Sequence, residues 1–220
     1  VCVARARLRS GRAPHQRPPI GALAEGLGFA HISMSHQVIS LMKLVGRAST
    51  TVADAYLTPV LRAYVDRISK HLPDDKTSTT QLQFMMSSGG LTAADLFQGK
   101  DAVLSGPAGG VVGAVQVGSE AGFDRLIGFD MGGTSTDVCH FAGAYERSFD
   151  SDVAGIALRA PMMRLHTVAA GGGSILRYEA GRFRVGPESA GAYPGPVAYR
   201  NGGPLSVTDA NIITGRINPD

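Results

Sequence analysis

The stretch IGFDMGGTSTDV, Ile127 to Val138, constrains the fold of this chain more than any other. An apolar run that reads as a buried strand ends in Asp130. Gly132 and Gly133 follow, then Thr134, Ser135 and Thr136, and Asp137 opens a second apolar stretch, DVCHFAGAY. A strand that delivers Asp130 to its carboxyl end and then turns on glycines can aim successive backbone N–H groups at one anion, because glycine permits positive φ and has no Cβ. The three hydroxyls add donors. Asp130 and Asp137 can hold Mg²⁺, directly or through water, or orient a reacting group. A plain β-hairpin is the competing reading, since Gly-Gly and Thr are ordinary turn residues. That reading accounts for the glycines but not for two acids framing a hydroxyl-rich turn. No Lys stands where a P-loop, G-x-x-x-x-G-K-[ST], requires one.

Two further glycine clusters invite the same question. In SGPAGGVVGA, Ser105 to Ala114, glycines 106, 109, 110 and 113 precede or open a helix. They would let its N-terminus approach an anion, or let the helix pack closely through small residues. In AAGGGSI, Ala169 to Ile175, Gly171, Gly172, Gly173 and Ser174 either pass beneath a nucleotide or bridge two strands. VGPESAGAYPGP places Glu188 and Ser189 in a Pro/Gly-rich loop polar enough to line a site.

Elsewhere the apolar period changes several times. LGFAHISMSHQVI reads as a strand and its exit. Leu57, Leu61, Tyr64 and Ile68 predict a helix over Thr50 to His71. Thr50 or Thr51 is its expected N-cap, and Pro59 is expected in its first turns or at a kink. TQLQFMMSSGG reads as a strand entering a turn. LTAADLF predicts a short helix, with Thr92 and Asp95 at capping-box spacing. The helix through GPAGGVVGAVQVGSEAGF is expected to follow a glycine loop and close at Gly118 or Gly122. RLIGFDM, DVCHFAGAY and RLHTVAAGGGSILRYEAGRFRVG supply strands, so the chain is expected to be α/β with a mixed sheet and flanking helices.

Composition narrows the function. At 220 residues and 44% hydrophobic, the chain suits one large or two small globular domains. The net charge of +3 comes from Arg5, Arg7, Arg9, Arg12 and Arg17, which leaves 16 basic and 18 acidic residues, net −2, for 18–220. The body is not basic, so nucleic acid is not an expected partner. The segment 1–19 is expected to be disordered or artefactual. No apolar run reaches the roughly 18 to 20 residues of a membrane span. Cys2 and Cys139 stand far apart, which suits a reducing cytoplasm. Cys139 reads as a packed small residue. His36, His140 and His166 are isolated possible acid–base groups, each more simply read as structural, and no His/Cys cluster has metal-ligand spacing.

SHQV, TTVADAYLTPVL, SSGGL, AVLSGPAGGVVGA, IGFDMGGTSTDV, TVAAGGGSI and VGPESAGAYPGPVAYRNGGPLSVTDAN occur in that order from about Ile20 to the C-terminus. Together they resemble the hydantoinase A/5-oxoprolinase family. The resemblance implies a ribonuclease H-like fold of the actin-like ATPase and sugar-kinase type. It also implies ATP-dependent attack on an unreactive carbonyl compound, a 5-oxoproline or hydantoin ring or, in related carboxylases, a ketone. It implies that Gly132, Gly133, Thr134 and Thr136 bind phosphate, beside the Ser135 hydroxyl read above as a further donor, with Asp130 and Asp137 catalytic and Asp130 on Mg²⁺. It places Gly171, Gly172, Gly173 and Ser174 in a nucleotide segment and Gly106, Gly109 and Gly110 in a third loop beside the nucleotide. His36 and Tyr193 lean toward oxoprolinases.

The implied reaction is phosphorylation of the lactam oxygen of 5-oxo-L-proline, then ring opening by water to L-glutamate. A hydantoinase of the N-methylhydantoinase type, a ketone carboxylase subunit, and a nucleotide-binding or inactive remnant are the alternatives. A second subunit or domain of the hydantoinase B type and an oligomeric full-length form are implied partners. Family members also carry an earlier GGT-x-TD loop, and none precedes residue 127 here. The chain thus resembles an internal piece, a partial nucleotide-binding region over 20–220, and weak or absent catalysis by it alone is expected.

Overall fold

The computed structural model describes residues 2–5, 18–41, 43–72 and 81–218. In chain order the elements are β1 (Cys2–Arg5), α1 (Pro18–Gly26), β2 (His31–Met34), α2 (Ser35–Val38), α3 (Leu44–Ser69), β3 (Gln83–Met85), β4 (Leu91–Ala93), α4 (Gly99–Ala102) and α5 (Ser105–Glu120). Then come β5 (Arg125–Met131), β6 (Thr136–Ala142), β7 (Arg147–Val153), β8 (Ile156–Met163), β9 (His166–Val168), β10 (Ser174–Glu179), β11 (Arg182–Ser189), a 3₁₀ turn (Val197–Tyr199) and α6 (Val207–Ile213). They fall into two compact units, Val1–Gly113 with Tyr145–Arg164, and Ala114–Ala144 with Leu165–Asp220.

In the first unit β1 pairs with β2 in parallel, so these four residues depart from the expectation of a disordered start. Residues 6–17 lie outside those described. Helix α3 begins at Leu44, six residues before the expected cap. Thr50 and Thr51 are fully buried inside it and donate to the carbonyls one turn back, Gly46 at 2.9 Å and Arg47 at 2.6 Å. A hydroxyl with a carbonyl within reach need not cap. Buried Asp54 accepts from the Ser33 hydroxyl at 2.7 Å, the Thr58 hydroxyl at 3.1 Å and the Lys100 amide at 3.1 Å, which joins β2, α3 and α4. LTAADLF is a strand and a turn, not a helix: β4 pairs with β3, and Phe84 stacks on Phe97 at 5.1 Å. Pairing and ring contact outweigh the local capping signal. The β7–β8 hairpin, absent from the sequence reading, buries Leu158, Ala160, Met162 and Met163.

The second unit carries a three-stranded antiparallel sheet, ordered β5-β6-β9, and the β10–β11 hairpin. Helix α5 ends in a Schellman closure. Phe123 donates to the Gly118 carbonyl and Gly122 to Ser119, both at 3.0 Å, and Gly122 takes φ +88. Strand β5 is not buried on both faces. Leu126 lies against Gly118 of α5, and Gly128 is the place where Cys139 Sγ fills the volume a Cβ would take. Ile127, Phe129 and Met131 alternate with them and stay exposed. Cys139 is a packed free thiol.

Candidate phosphate site

The sheet places the acids. Its register pairs Asp130 with Asp137 and Met131 with Thr136, and residues 132–135 form the connecting turn, closed by the Gly132 amide on the Ser135 carbonyl at 2.9 Å. Directly opposed residues of an antiparallel pair share a face, so both carboxylates project from the same side of the hairpin. Asp137 accepts the Thr167 hydroxyl at 2.6 Å, across the β6–β9 ladder. Asp130 is exposed and has no hydrogen-bond or ion-pair partner among the described residues. His140 pairs with Ile127 and His166 with Val138, which puts both on the opposite face from the carboxylates. Neither is placed to exchange protons with Asp130 or Asp137.

The hairpin is therefore real, yet hairpin geometry does not explain its glycines. Neither Gly132 nor Gly133 adopts a positive φ, contrary to the sequence expectation. A Cβ on Gly133 would meet nothing within 4 Å, and one on Gly132 would make only ordinary contact with the Ser135 carbonyl at 3.4 Å. Among the described residues, the N–H groups of Gly133, Thr134 and Ser135 have no hydrogen-bond partner. Three successive free amides around an open space that a side chain would partly fill are the elements of an anion nest.

The triple-glycine turn does something different. The Gly172 amide donates to the Gly132 carbonyl at 2.9 Å, and the Gly173 amide to the Gly133 carbonyl at 2.7 Å. Gly171 donates to Ser174 Oγ at 2.9 Å and accepts from the Ser174 amide at 3.0 Å. Every N–H in the turn is thus used within the protein. Close approach demands the glycines: a Cβ on Gly171 would lie 2.6 Å from the Gly132 carbonyl oxygen, and one on Gly173 would lie 2.8 Å from that of Gly133. Thr136, buried, fastens the other side through its hydroxyl on the Ala170 carbonyl at 2.6 Å. Gly171, Gly172, Gly173 and Ser174 therefore brace the 132–135 turn through backbone contacts.

Residues 105–110 form no loop. They are the first turns of α5 and belong to the first unit. Gly106 and Gly110 have open space where a Cβ would stand, and Gly109 only touches Met85. Ser189 Oγ accepts the Gly191 amide at 3.1 Å, whereas Glu188 is exposed and faces Arg177 at 3.3 Å. Tyr193 is exposed, and His36 lies half-buried in α2 of the first unit.

A layer unassigned by sequence reasoning lies behind the glycine turn. Thr208 gives the Gly172 carbonyl two donors, its amide at 2.8 Å and its hydroxyl at 2.9 Å. Ser206 and Asp209 form the capping box of α6. Buried Asp209 also accepts the amides of Ala198 at 2.7 Å, Ser206 at 2.7 Å and Val197 at 3.2 Å. Burial raises the Asp209 pKa, but these bonds, led by that from Ala198, hold it below the ordinary carboxylate value. The spacing of Ser206 and Asp209 in LSVTDAN was the available sequence signal.

The residues fit a nucleotide phosphate: an open cradle, free amides and one unpaired carboxylate beside it. Among the described residues no three His, Cys, Asp or Glu side chains converge on one point, so a cation at Asp130 would take further ligands from phosphate oxygens or water. No helix of the described residues is long and apolar enough to cross a membrane.

The chain is 47% identical to 5-oxoprolinase of Saccharomyces cerevisiae over 99% of its own length and 17% of that protein's. It is 35% identical to the caprolactamase subunit alpha of Pseudomonas jessenii, over 91% of this chain and 30% of that one. Among solved structures, the nucleotide-free structure of acetone carboxylase, from work on ATP-dependent acetone carboxylation, superposes with a TM-score of 0.75. The two are 26% identical, over 97% of this chain and 31% of that one. This likeness bears out the α/β fold expected from the sequence, of the actin-like ATPase type. The family model for Hydantoinase/oxoprolinase matches residues 47–220, and the chain belongs to that family.

Proposed function

We propose that the 132–135 turn holds the phosphates of Mg·ATP and that the chain is part of an ATP-dependent cyclic-amide hydrolase of the 5-oxoprolinase type, acting in the cytoplasm on 5-oxo-L-proline. The observation that carries this is Gly133, a glycine that neither backbone dihedral nor neighbouring atom requires, the first of three successive free amides. A lactam resists water because amide resonance weakens its carbonyl as an electrophile. Bound ATP would supply the phosphoryl group that turns the amide oxygen into a leaving group.

The protein's task is then positioning and charge stabilisation, since phosphoryl transfer asks for little covalent chemistry from side chains. The Gly133, Thr134 and Ser135 amides, with the Thr134 and Ser135 hydroxyls, bind and orient the phosphates. Asp130, exposed and unpaired, holds Mg²⁺ or a water. Asp137, tied to Thr167, keeps the hairpin in register and faces Asp130. Gly171, Gly172, Gly173 and Ser174 fix the height of the turn from below. Gly106, Gly109 and Gly110, glycines with almost no packing role of their own, leave their side of α5 open to close approach by a ligand.

The higher identity to 5-oxoprolinase, 47% against 35% for the caprolactamase subunit, favours the oxoproline ring over larger lactams. A companion subunit or domain of the hydantoinase B type is supported by relatives that are themselves subunits, the caprolactamase subunit alpha and an acetophenone carboxylase gamma subunit. The test is lactam-stimulated ATP hydrolysis by the polypeptide that carries these residues. Phosphate and glutamate released together with 5-oxoproline are the expected result. Stimulation by a hydantoin or a ketone in its place would move the reading to those branches.

A further inference from the structure

We infer that Thr208 is a positioning residue for the nucleotide turn, acting through Gly172; the inference rests on the nucleotide reading above. Three observations converge. The Gly172 carbonyl receives both the amide and the hydroxyl of Thr208, at 2.8 and 2.9 Å. The amide of the same glycine donates to Gly132 at 2.9 Å, so Gly172 stands between Thr208 and the first glycine of the turn. A Cβ on Gly172 would lie 2.7 Å from Thr208 Oγ1, with its next neighbour the Gly132 carbonyl at 3.7 Å. Thr208 is therefore what sets the space available to Gly172.

The α6 N-terminus is itself held. The Asp209 carboxylate takes the Ser206 amide and hydroxyl at 2.7 and 3.0 Å and two amides of the 3₁₀ turn. A residue on so fixed a base can fix another. Two donors on one carbonyl determine the tilt of the Gly172–Gly173 peptide plane, and the N–H of that plane, Gly173's, donates to the Gly133 carbonyl at 2.7 Å. The Gly133, Thr134 and Ser135 amides point where that contact leaves them. The geometry needed for three amides to meet one phosphate is tight, because misplacement of a binding group by about 1 Å has large effects. PLSVTDAN thus acquires a role in the site: it aligns the cradle from behind without touching the ligand.

The experiment measures the Mg·ATP dissociation constant of the 220-residue chain and of Thr208→Val, Thr208→Ser, Thr208→Ala, Gly172→Ala and the Gly172→Ala/Thr208→Ala double variant. Amide exchange at Gly172 and Gly173 is followed in each. Thr208→Val should weaken binding about fivefold, the loss of roughly one hydrogen bond's worth of alignment, and speed exchange at both glycines. Thr208→Ser should restore both, which a loss of general stability would not distinguish. Gly172→Ala should weaken binding more than the double variant does, since removing Oγ1 removes the collision. Wild-type affinity and exchange in Thr208→Val would overturn the inference and leave the nucleotide reading intact. Failure of the folded wild type to bind Mg·ATP would overturn both.

Discussion

Gly173 donates its amide to the carbonyl of Gly133 at 2.7 Å, so two glycine clusters forty residues apart meet backbone to backbone and divide the work between them. The later cluster spends its amides on the protein. The earlier one has its carbonyls occupied, and the amides of Gly133, Thr134 and Ser135 have no partner among the described residues. This division makes the glycines separable by mutation.

Gly133→Ala should leave thermal stability within about 0.5 kcal/mol, as expected for a substitution that meets no other atom, while weakening Mg·ATP binding. Gly171→Ala should do the reverse in origin: it forces a Cβ to 2.6 Å from a backbone oxygen and should destabilise the fold by about 1–3 kcal/mol. Thermal unfolding beside calorimetric titration checks both. Equal loss of stability in the two would contradict the division.

Gly110→Ala should stabilise the chain by roughly 0.5–1 kcal/mol, because an exposed glycine inside α5 with open space at its Cβ forfeits helix propensity. A denaturant midpoint that rises at unchanged slope is the expected observation. A loss of nucleotide affinity in this more stable variant would assign the glycine to the ligand.

Asp130→Asn should raise stability by about 0.2–1 kcal/mol while lowering affinity for Mg·ATP, since like charges directly opposed across a ladder repel. Such opposition of effects marks a residue kept for its ligand. A variant less stable than wild type would mean that Asp130 supports the hairpin after all.

Acid should loosen the second unit through Asp209. Its folded pKa lies below the unfolded value, so the stability it contributes is complete above about pH 4 and is lost as the pH falls through the folded pKa. Asp209→Asn should be less stable than wild type at neutral pH, and the gap should narrow below about pH 4. Unfolding midpoints measured from pH 7 to pH 3 would show the convergence, and a constant gap would argue against an ionised carboxylate in the capping box.

Much of this was legible in the chain. Asp130, Gly132 and Asp137 stand where IGFDMGGTSTDV puts them, on two strands and a turn, because alternation and turn residues act locally. The closure of α5 at Gly122 was legible for the same reason. What escaped depended on partners distant in sequence. LTAADLF became a strand through Gln83 to Met85, and Thr50 and Thr51 capped nothing because α3 had already begun at Leu44. AAGGGSI left two readings open, and only the carbonyls of Gly132 and Gly133 decide that its amides face the protein. Thr208 carried no signal of its own, since its role exists only through Gly172.

The measurement that bears most directly on the central claim is calorimetric titration of the purified 220-residue chain with Mg·ATP, repeated with Asp130→Ala and Gly133→Ala. Saturable binding, weakened about tenfold or more by each substitution, or roughly 1.4 kcal/mol, is the predicted result. No binding by the folded chain, or binding that both substitutions leave unchanged, would contradict a phosphate cradle at residues 132–135.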